Sequence, residues 1–300
     1  MSGVDSKSKT ITTSIGTIHY DYLVLSSGAD TNFYGVAGAK EHSLTLKSLA
    51  DAMAIRNRII SAFETASHTH DEDTRKSLLS LIVVGGGPSS IELIAELSEF
   101  MHDTLKLYFK HTAIRKKEMS ITLISSSAEI LGQFPGSIGR IAHRTLARKG
   151  IRIITSAMVT AVSEGKVSLK DGSSFSAKHI IWAAGVTPNT IGKENFILDK
   201  GNRVMTNSLL QAEGHQNIFC LGDVACFKTS PTDTHPLAML AQVAAQQAKT
   251  VAHNIPAHIQ NKKLYPFLYH ERGLLLSLGK WNAAGTVSYT HLTLPTNREV

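Results

Sequence analysis

Three hundred residues, 42% of them hydrophobic, suffice for two apolar cores, since a single domain usually holds about 100–200 residues. The formal charge of +7, from 31 Lys and Arg against 24 Asp and Glu, is spread along the chain with only Arg115-Lys116-Lys117 as a run; no basic stripe interleaves with aromatics, so no nucleic-acid partner is expected, and the excess suits an anionic small molecule or membrane face. Two cysteines, Cys220 and Cys226, make neither a disulfide framework nor a metal or redox CxxC pair, which fits a reducing compartment and no metal site, and no stretch approaches the roughly 20 apolar residues of a spanning helix, so any membrane contact is expected to be peripheral.

Residues 10–19 alternate, with Gly16 between two short strand-like runs, and Asp21 to Ser27 reads as a buried strand ending at Gly28. Leu46 to about Ala66 is helical, with Leu49, Met53 and Ile60 on helical spacings, and ends in the polar stretch SHTHDEDTRKS, a candidate domain boundary. Leu78 to Val84 is a β-branched run followed at once by Gly85-Gly86-Gly87-Pro88 and a helical pattern through Ile91, Leu93, Ile94 and Leu97. A strand at Ile121–Ile124, a helix from about Ile138 to Arg148 and a strand at Ile151–Ile154 continue the alternation of a doubly wound parallel sheet. Lys166–Leu169, the turn Asp171-Gly172 and Lys178–Trp182 read as a hairpin. Ile218–Leu221 is a buried strand closed by Gly222-Asp223, Leu237 to His253 is a helix rich in Ala and Gln, and Leu274–Leu278 is a strand.

Two junctions carry chemistry. Gly85-x-Gly87-x-x-Ser90 follows a strand and opens a helix, where a first glycine permits the tight turn, a second lets a pyrophosphate approach the backbone, and the helix N-terminus offers oriented N–H groups. Gly222-Asp223 ends a strand and so places a carboxylate in the crevice where open α/β sheets bind ligands. Read alone, the first also fits a plain strand-to-helix turn and the second an ordinary strand-terminating turn.

In order, the chain gives Tyr22-Leu-Val-Leu-Ser-Ser-Gly28, Val83-Val-Gly-Gly-Gly-Pro-Ser-Ser-Ile-Glu92, Ile181-Trp-Ala-Ala-Gly-Val186 and Ile218 to Asp223. This order and spacing resemble the flavin-dependent pyridine nucleotide oxidoreductases, in which an NAD domain is inserted into an FAD domain. Within that superfamily, the helix Ala241-Gln-Val-Ala-Ala-Gln-Gln247 and the segment from Phe267 through Gly273 to Gly279 look like the type II NADH dehydrogenases. The resemblance implies an α/β fold of two Rossmann-like domains: 1–75 as the first part of the FAD domain, 76–188 as the inserted NAD(P)H domain and 189–285 as the second FAD part.

The same resemblance implies that hydride passes from NADH to FAD and electrons to a membrane quinone, in a ping-pong scheme without proton pumping. Gly28, Gly222, Asp223 and Ala241 are then expected at FAD, and Gly85, Gly87, Ser90, Ser125 and Gly185 among the nucleotide contacts. Glu92 matches a family glutamate near nicotinamide and flavin, and Gln242 and Gln246, four apart on one helical face, match glutamines beside the isoalloxazine and quinone channel. Ser125 stands where the family usually carries a carboxylate against the ribose 2′-hydroxyl, so NADPH is expected as a substrate beside NADH. A helix-surface carboxylate remains the other reading of Glu92, and a polar helix face that of the glutamines.

The family's first βαβ unit has no counterpart in residues 1–28, and nothing comparable to its amphipathic membrane-docking helices follows Gly285, so a fragment is expected. Val287 to Thr296 reads like the in-frame translation of a transposon-type sequencing adapter, which makes 286–300 a non-native tail by this reading. The full-length parent is expected peripherally on the inner face of a bacterial plasma membrane or on the mitochondrial inner membrane; this fragment alone would be cytosolic and inactive, and a homodimer is left open. The rival readings are another two-dinucleotide flavoprotein reductase, acting on sulfide and quinone, ferredoxin or a thiol, and a slowly turning-over FAD/NADH-binding sensor.

Overall fold

A computed structural model of the chain describes residues 3–230, 232–287 and 290–294. They cluster into two compact units, the first made of Met1–Asp30 with Val186–Glu271 and the second of Thr31–Gly185 with Arg272–Val300.

The second unit is built on a five-stranded parallel sheet in the order Leu44–Thr45, His179–Trp182, Ser80–Val84, Ser120–Ile124, Arg152–Ile154. Its central strand explains the β-branched run: Leu81 and Val83 enter one apolar cluster with Ile91, Ile94 and Leu123, while Ile82 and Val84 enter another with Ile124, Val167 and Trp182. A parallel strand covered on both faces needs apolar residues at every position, not at alternate ones.

The helix Leu49–Ser67 starts where its chemistry says it must, since the Ser48 side chain accepts from the Asp51 N–H while the Asp51 carboxylate accepts from the Ser48 N–H. The face it buries is Ile55, Ile59, Ala62, Phe63 and Ala66; Leu49 and Met53, which carry the periodicity in the sequence, are exposed. This helix packs in the same cluster as the central strand, so residues 31–75 belong with the second unit, and the sequence boundary at 75/76 falls inside the helix Glu72–Leu78. In that polar stretch Arg75 is buried and makes a two-pronged ion pair with Glu118, at 2.8 and 3.2 Å, which holds the Glu118 carboxyl below its ordinary range.

One other expectation changes. The hairpin partner of Lys166–Leu169 is Ser174–Ser176, not Lys178–Trp182, because the fully buried His179–Trp182 is taken by the parallel sheet. Residues 283–287 and 290–294 form an antiparallel sheet with Leu274–Ser277, so β-structure extends beyond Thr286. Positions 288, 289 and 295–300 of the expected tail lie outside the described residues.

In the first unit, Gly3–Asp5, Thr10–Thr13 and Gly16–His19 form an antiparallel sheet, and Leu23–Leu25 pairs in parallel with Ile218–Cys220. The helix Ala241–Ile259 fixes an extended segment by side-chain amides. Gln246 gives and takes a hydrogen bond with the His270 backbone, each at 3.0 Å, and Asn254 does the same with Tyr265 at 2.9 Å. Residues 265–270 thereby satisfy two backbone positions without a strand partner.

Candidate dinucleotide-binding sites

The glycine turn of the second unit opens a cavity of about 740 Å³ at the carboxyl ends of the parallel strands. Three glycines shape it. Gly85 has φ +139° and a Cβ there would sit 2.5 Å from the Ala183 carbonyl oxygen; a Cβ on Gly86 would sit 2.2 Å from Ser125 Oγ. Gly87 is the N-cap of the helix Pro88–Glu99, with open space where a side chain would be and no side-chain cap. The first-turn N–H groups of that helix are thus left to whatever enters the cavity, an arrangement suited to a pyrophosphate. Ser90 is fully buried and donates to the Gly87 carbonyl, so it braces the turn from below.

Ser125, 2% exposed, ends its strand in the lining of this cavity, where its Oγ accepts from the Ser127 N–H at 3.3 Å. It brings a hydroxyl and no charge; the exposed Glu129 lines the same cavity. Gly185 backs onto Tyr34, whose hydroxyl would lie 2.2 Å from a Cβ there, and Tyr34 and Trp182 also line the cavity. Glu92 lies outside the lining. Its carboxylate accepts the Ser277 N–H at 2.9 Å, while Glu96 accepts from the Ser277 hydroxyl and Glu99 from the Lys280 N–H and from Lys149, so this acidic helix face holds residues 277–280.

The first unit has a separate concavity of about 310 Å³ lined by Gly28, Gly222, Asp223, Ala241 and Ala244 among others. Gly28 and Gly222 are left-handed, at φ +70° and +71°, and the helix that begins at Ala241 has no side-chain cap. The Gly222 N–H donates at 2.7 Å to Oε1 of Gln247, which is 1% exposed. A bare helix N-terminus, two glycines and a carboxylate fit the phosphate and hydroxyls of a second dinucleotide. Gln242 and Gln246 are half-buried on the same helix, with Gln246 committed to His270.

Sequence reading missed Gly86 and Gln247. The signal for Gln247 was present: Val243, Gln247, Val251 and Asn254 are the buried face of the helix, and two amides in an apolar stripe require partners. Cys220 and Cys226 are free and buried, and burial pushes their thiols up to about 12 and about 11, so both stay protonated.

The 30% identity to the type II NADH:quinone oxidoreductase Ndh of Mycobacterium tuberculosis extends over 281 residues, 89% of this chain and 58% of that protein. The external alternative NAD(P)H-ubiquinone oxidoreductase B2 of Arabidopsis thaliana mitochondria is 35% identical over 218 residues, 70% of this chain and 37% of the relative. The chain thus spans well under two thirds of these relatives. The solved structure of NDH2 from Plasmodium falciparum in complex with NADH superposes with a TM-score of 0.85 at 18% identity, covering 98% of this chain and 76% of that one, which shows an α/β fold of two Rossmann-like dinucleotide-binding domains. The family model of the pyridine nucleotide-disulphide oxidoreductases matches residues 2–248, across both glycine-lined clefts, and the chain belongs to that family.

Proposed function

We propose that the chain is the dinucleotide-handling part of an FAD-dependent NADH:quinone oxidoreductase. The observation that carries this is the uncapped helix N-terminus behind Gly85-Gly86-Gly87 at the mouth of the 740 Å³ cavity; the similarity to type II NADH:quinone oxidoreductases supplies the quinone. FAD, when bound, supplies the acceptor of hydride and the donor of electrons.

The protein's residues bind and orient. The Gly85–Gly87 turn and the first-turn amides would hold the NADH pyrophosphate, with Ser125 within the same lining for the ribose hydroxyls and Trp182 as an apolar wall. Asp223 would accept from flavin hydroxyls, beside a Gly222 kept in place by Gln247. Gln242 and Gln246 would face the quinone side, with Gln246 also positioning the segment through His270. Glu92 acts by fixing Ser277 on the nucleotide-binding unit. No helix among the described residues is long and apolar enough to cross a membrane, and we place the whole protein peripherally on one, where a lipid-soluble quinone is reached. A homodimer remains part of this proposal.

NADH titration followed by Trp182 fluorescence in a Trp281→Phe background tests the nucleotide site, and a saturable change is expected; a flat signal would overturn it. In the full-length parent with FAD bound, quinone-dependent NADH oxidation is expected. Nucleotide binding without turnover would favour the sensor reading.

A further inference from the structure

We propose that the second unit carries another ligand site, at the amino-terminal edge of its parallel sheet, which takes a small organic phosphate bearing free hydroxyls. The site is a cavity of about 960 Å³, larger than the dinucleotide cleft and on the opposite edge: its lining includes Ser80, Ser120 and His179, where three of the parallel strands begin. A small-molecule site usually measures about 300–1,000 Å³.

One wall is a single face of the helix Leu49–Ser67, with Arg58, Ser61, Ala62 and Thr65 on helical spacings. Arg58 and Lys178 bring two positive charges, and neither makes an ion pair with a carboxylate among the described residues, whereas Lys76 in the same lining is held by Glu72 and Asp73. Glu41 and Glu164 also line the cavity, so against Arg58, Lys76 and Lys178 the lining carries one net positive charge, enough for one phosphate and not for a polyphosphate.

The second observation is His179. The residue is 5% exposed and its Nε2 has no hydrogen-bond partner. Burial, with Lys178 and Arg58 nearby, pushes the imidazole down to about 4, so the ring is neutral. An unpartnered Nε2 on a neutral ring is matched by a hydroxyl, which can both donate and accept. Ser43 Oγ, in the same lining, is a second buried polar atom without a partner. Buried polar groups of this kind are costly to leave unpaired. Two cations for a phosphate and a buried, unpartnered ring nitrogen for a hydroxyl define the ligand class.

Isothermal titration of the 300-residue chain with ribose 5-phosphate tests this, with ribose and inorganic phosphate as separate arms. Saturable binding is expected for ribose 5-phosphate, with Arg58→Gln and Lys178→Gln each weakening it about tenfold, as removal of a charge-assisted hydrogen bond does. The NADH-dependent fluorescence of Trp182 should be unchanged in both variants, which keeps this site distinct from the dinucleotide cleft. In the unaltered chain the His179 ring resonances should shift on ribose 5-phosphate addition. No saturable binding, or binding that survives both substitutions with the His179 resonances unmoved, overturns the proposal; equal affinity for inorganic phosphate overturns the assignment of Nε2 to a hydroxyl.

Discussion

The two glycine turns are held in place by different forces. In the second unit the turn after Val84 is locked by contact, with the Ala183 carbonyl above Gly85 and the Ser125 hydroxyl against Gly86, both closer than any Cβ could tolerate. In the first unit the turn after Leu221 is locked by polarity: the nearest atom to a Cβ on Gly222 would be an Ala244 methyl at an ordinary 3.5 Å, and what fixes the backbone is the hydrogen bond to Gln247. A sterically locked turn is intolerant of any added atom. A polar-locked one is sensitive to a residue 25 positions away.

The largest effect should come from Gly85→Ala, which drives a Cβ into the Ala183 carbonyl at a φ of +139° and is expected to destabilise the second unit by about 3 kcal/mol. Both tryptophans, Trp182 and Trp281, lie in that unit, so urea unfolding followed by tryptophan fluorescence reads it directly. An unshifted midpoint would show that the turn is not sterically locked.

Acid should separate the units next. His179 titrates at about 4 in the fold against 6.5 for the free side chain, and burial lowers His102 as well; both are in the second unit. The folded chain therefore binds fewer protons than the unfolded one, so the stability these groups contribute is complete above pH 6.5 and is lost as pH falls toward 4. A loss of about 2 kcal/mol is expected from His179 over this window, and His179→Phe should flatten the profile. The same slope in that variant would remove His179 as its cause.

Gln247→Leu removes the acceptor of the half-buried Gly222 N–H, a cost of about 1 kcal/mol. Amide exchange at Gly222 should quicken while the tryptophan-detected midpoint stays put; a matching shift in that midpoint would mean the two turns are not independently supported. The smallest effect concerns the nucleotide. With a hydroxyl and no charge at Ser125, NADH and NADPH should bind within about tenfold of each other, and Ser125→Glu should favour NADH. A thousandfold NADH preference before substitution would shift the selecting role to Glu129.

Strand Ser80–Val84, its glycine turn and its helix were legible because each depends on neighbours in the chain: a β-branched run, a residue type that allows φ +139°, and helical periodicity. The same holds for Ile218–Cys220 and Gly222. Harder to read was Lys166–Leu169, since Ser174–Ser176 and His179–Trp182 both have strand character and the choice rests on which is buried on both faces. Gly86, adjacent to two glycines that were singled out, needs Ser125 beside it before its role is visible.

By itself, then, the order of residues determined the α/β alternation, the two glycine junctions and the family they point to, because those are properties of short segments and their spacing. Only the tertiary structure decided that residues 31–75 pack with the nucleotide-binding sheet, that Glu92 holds Ser277, that Gln247 supports Gly222 and that His179 is buried with a bare nitrogen. Each of these is a contact between residues far apart in the chain, and burial and hydrogen-bond satisfaction are set by what the fold brings alongside, not by local sequence.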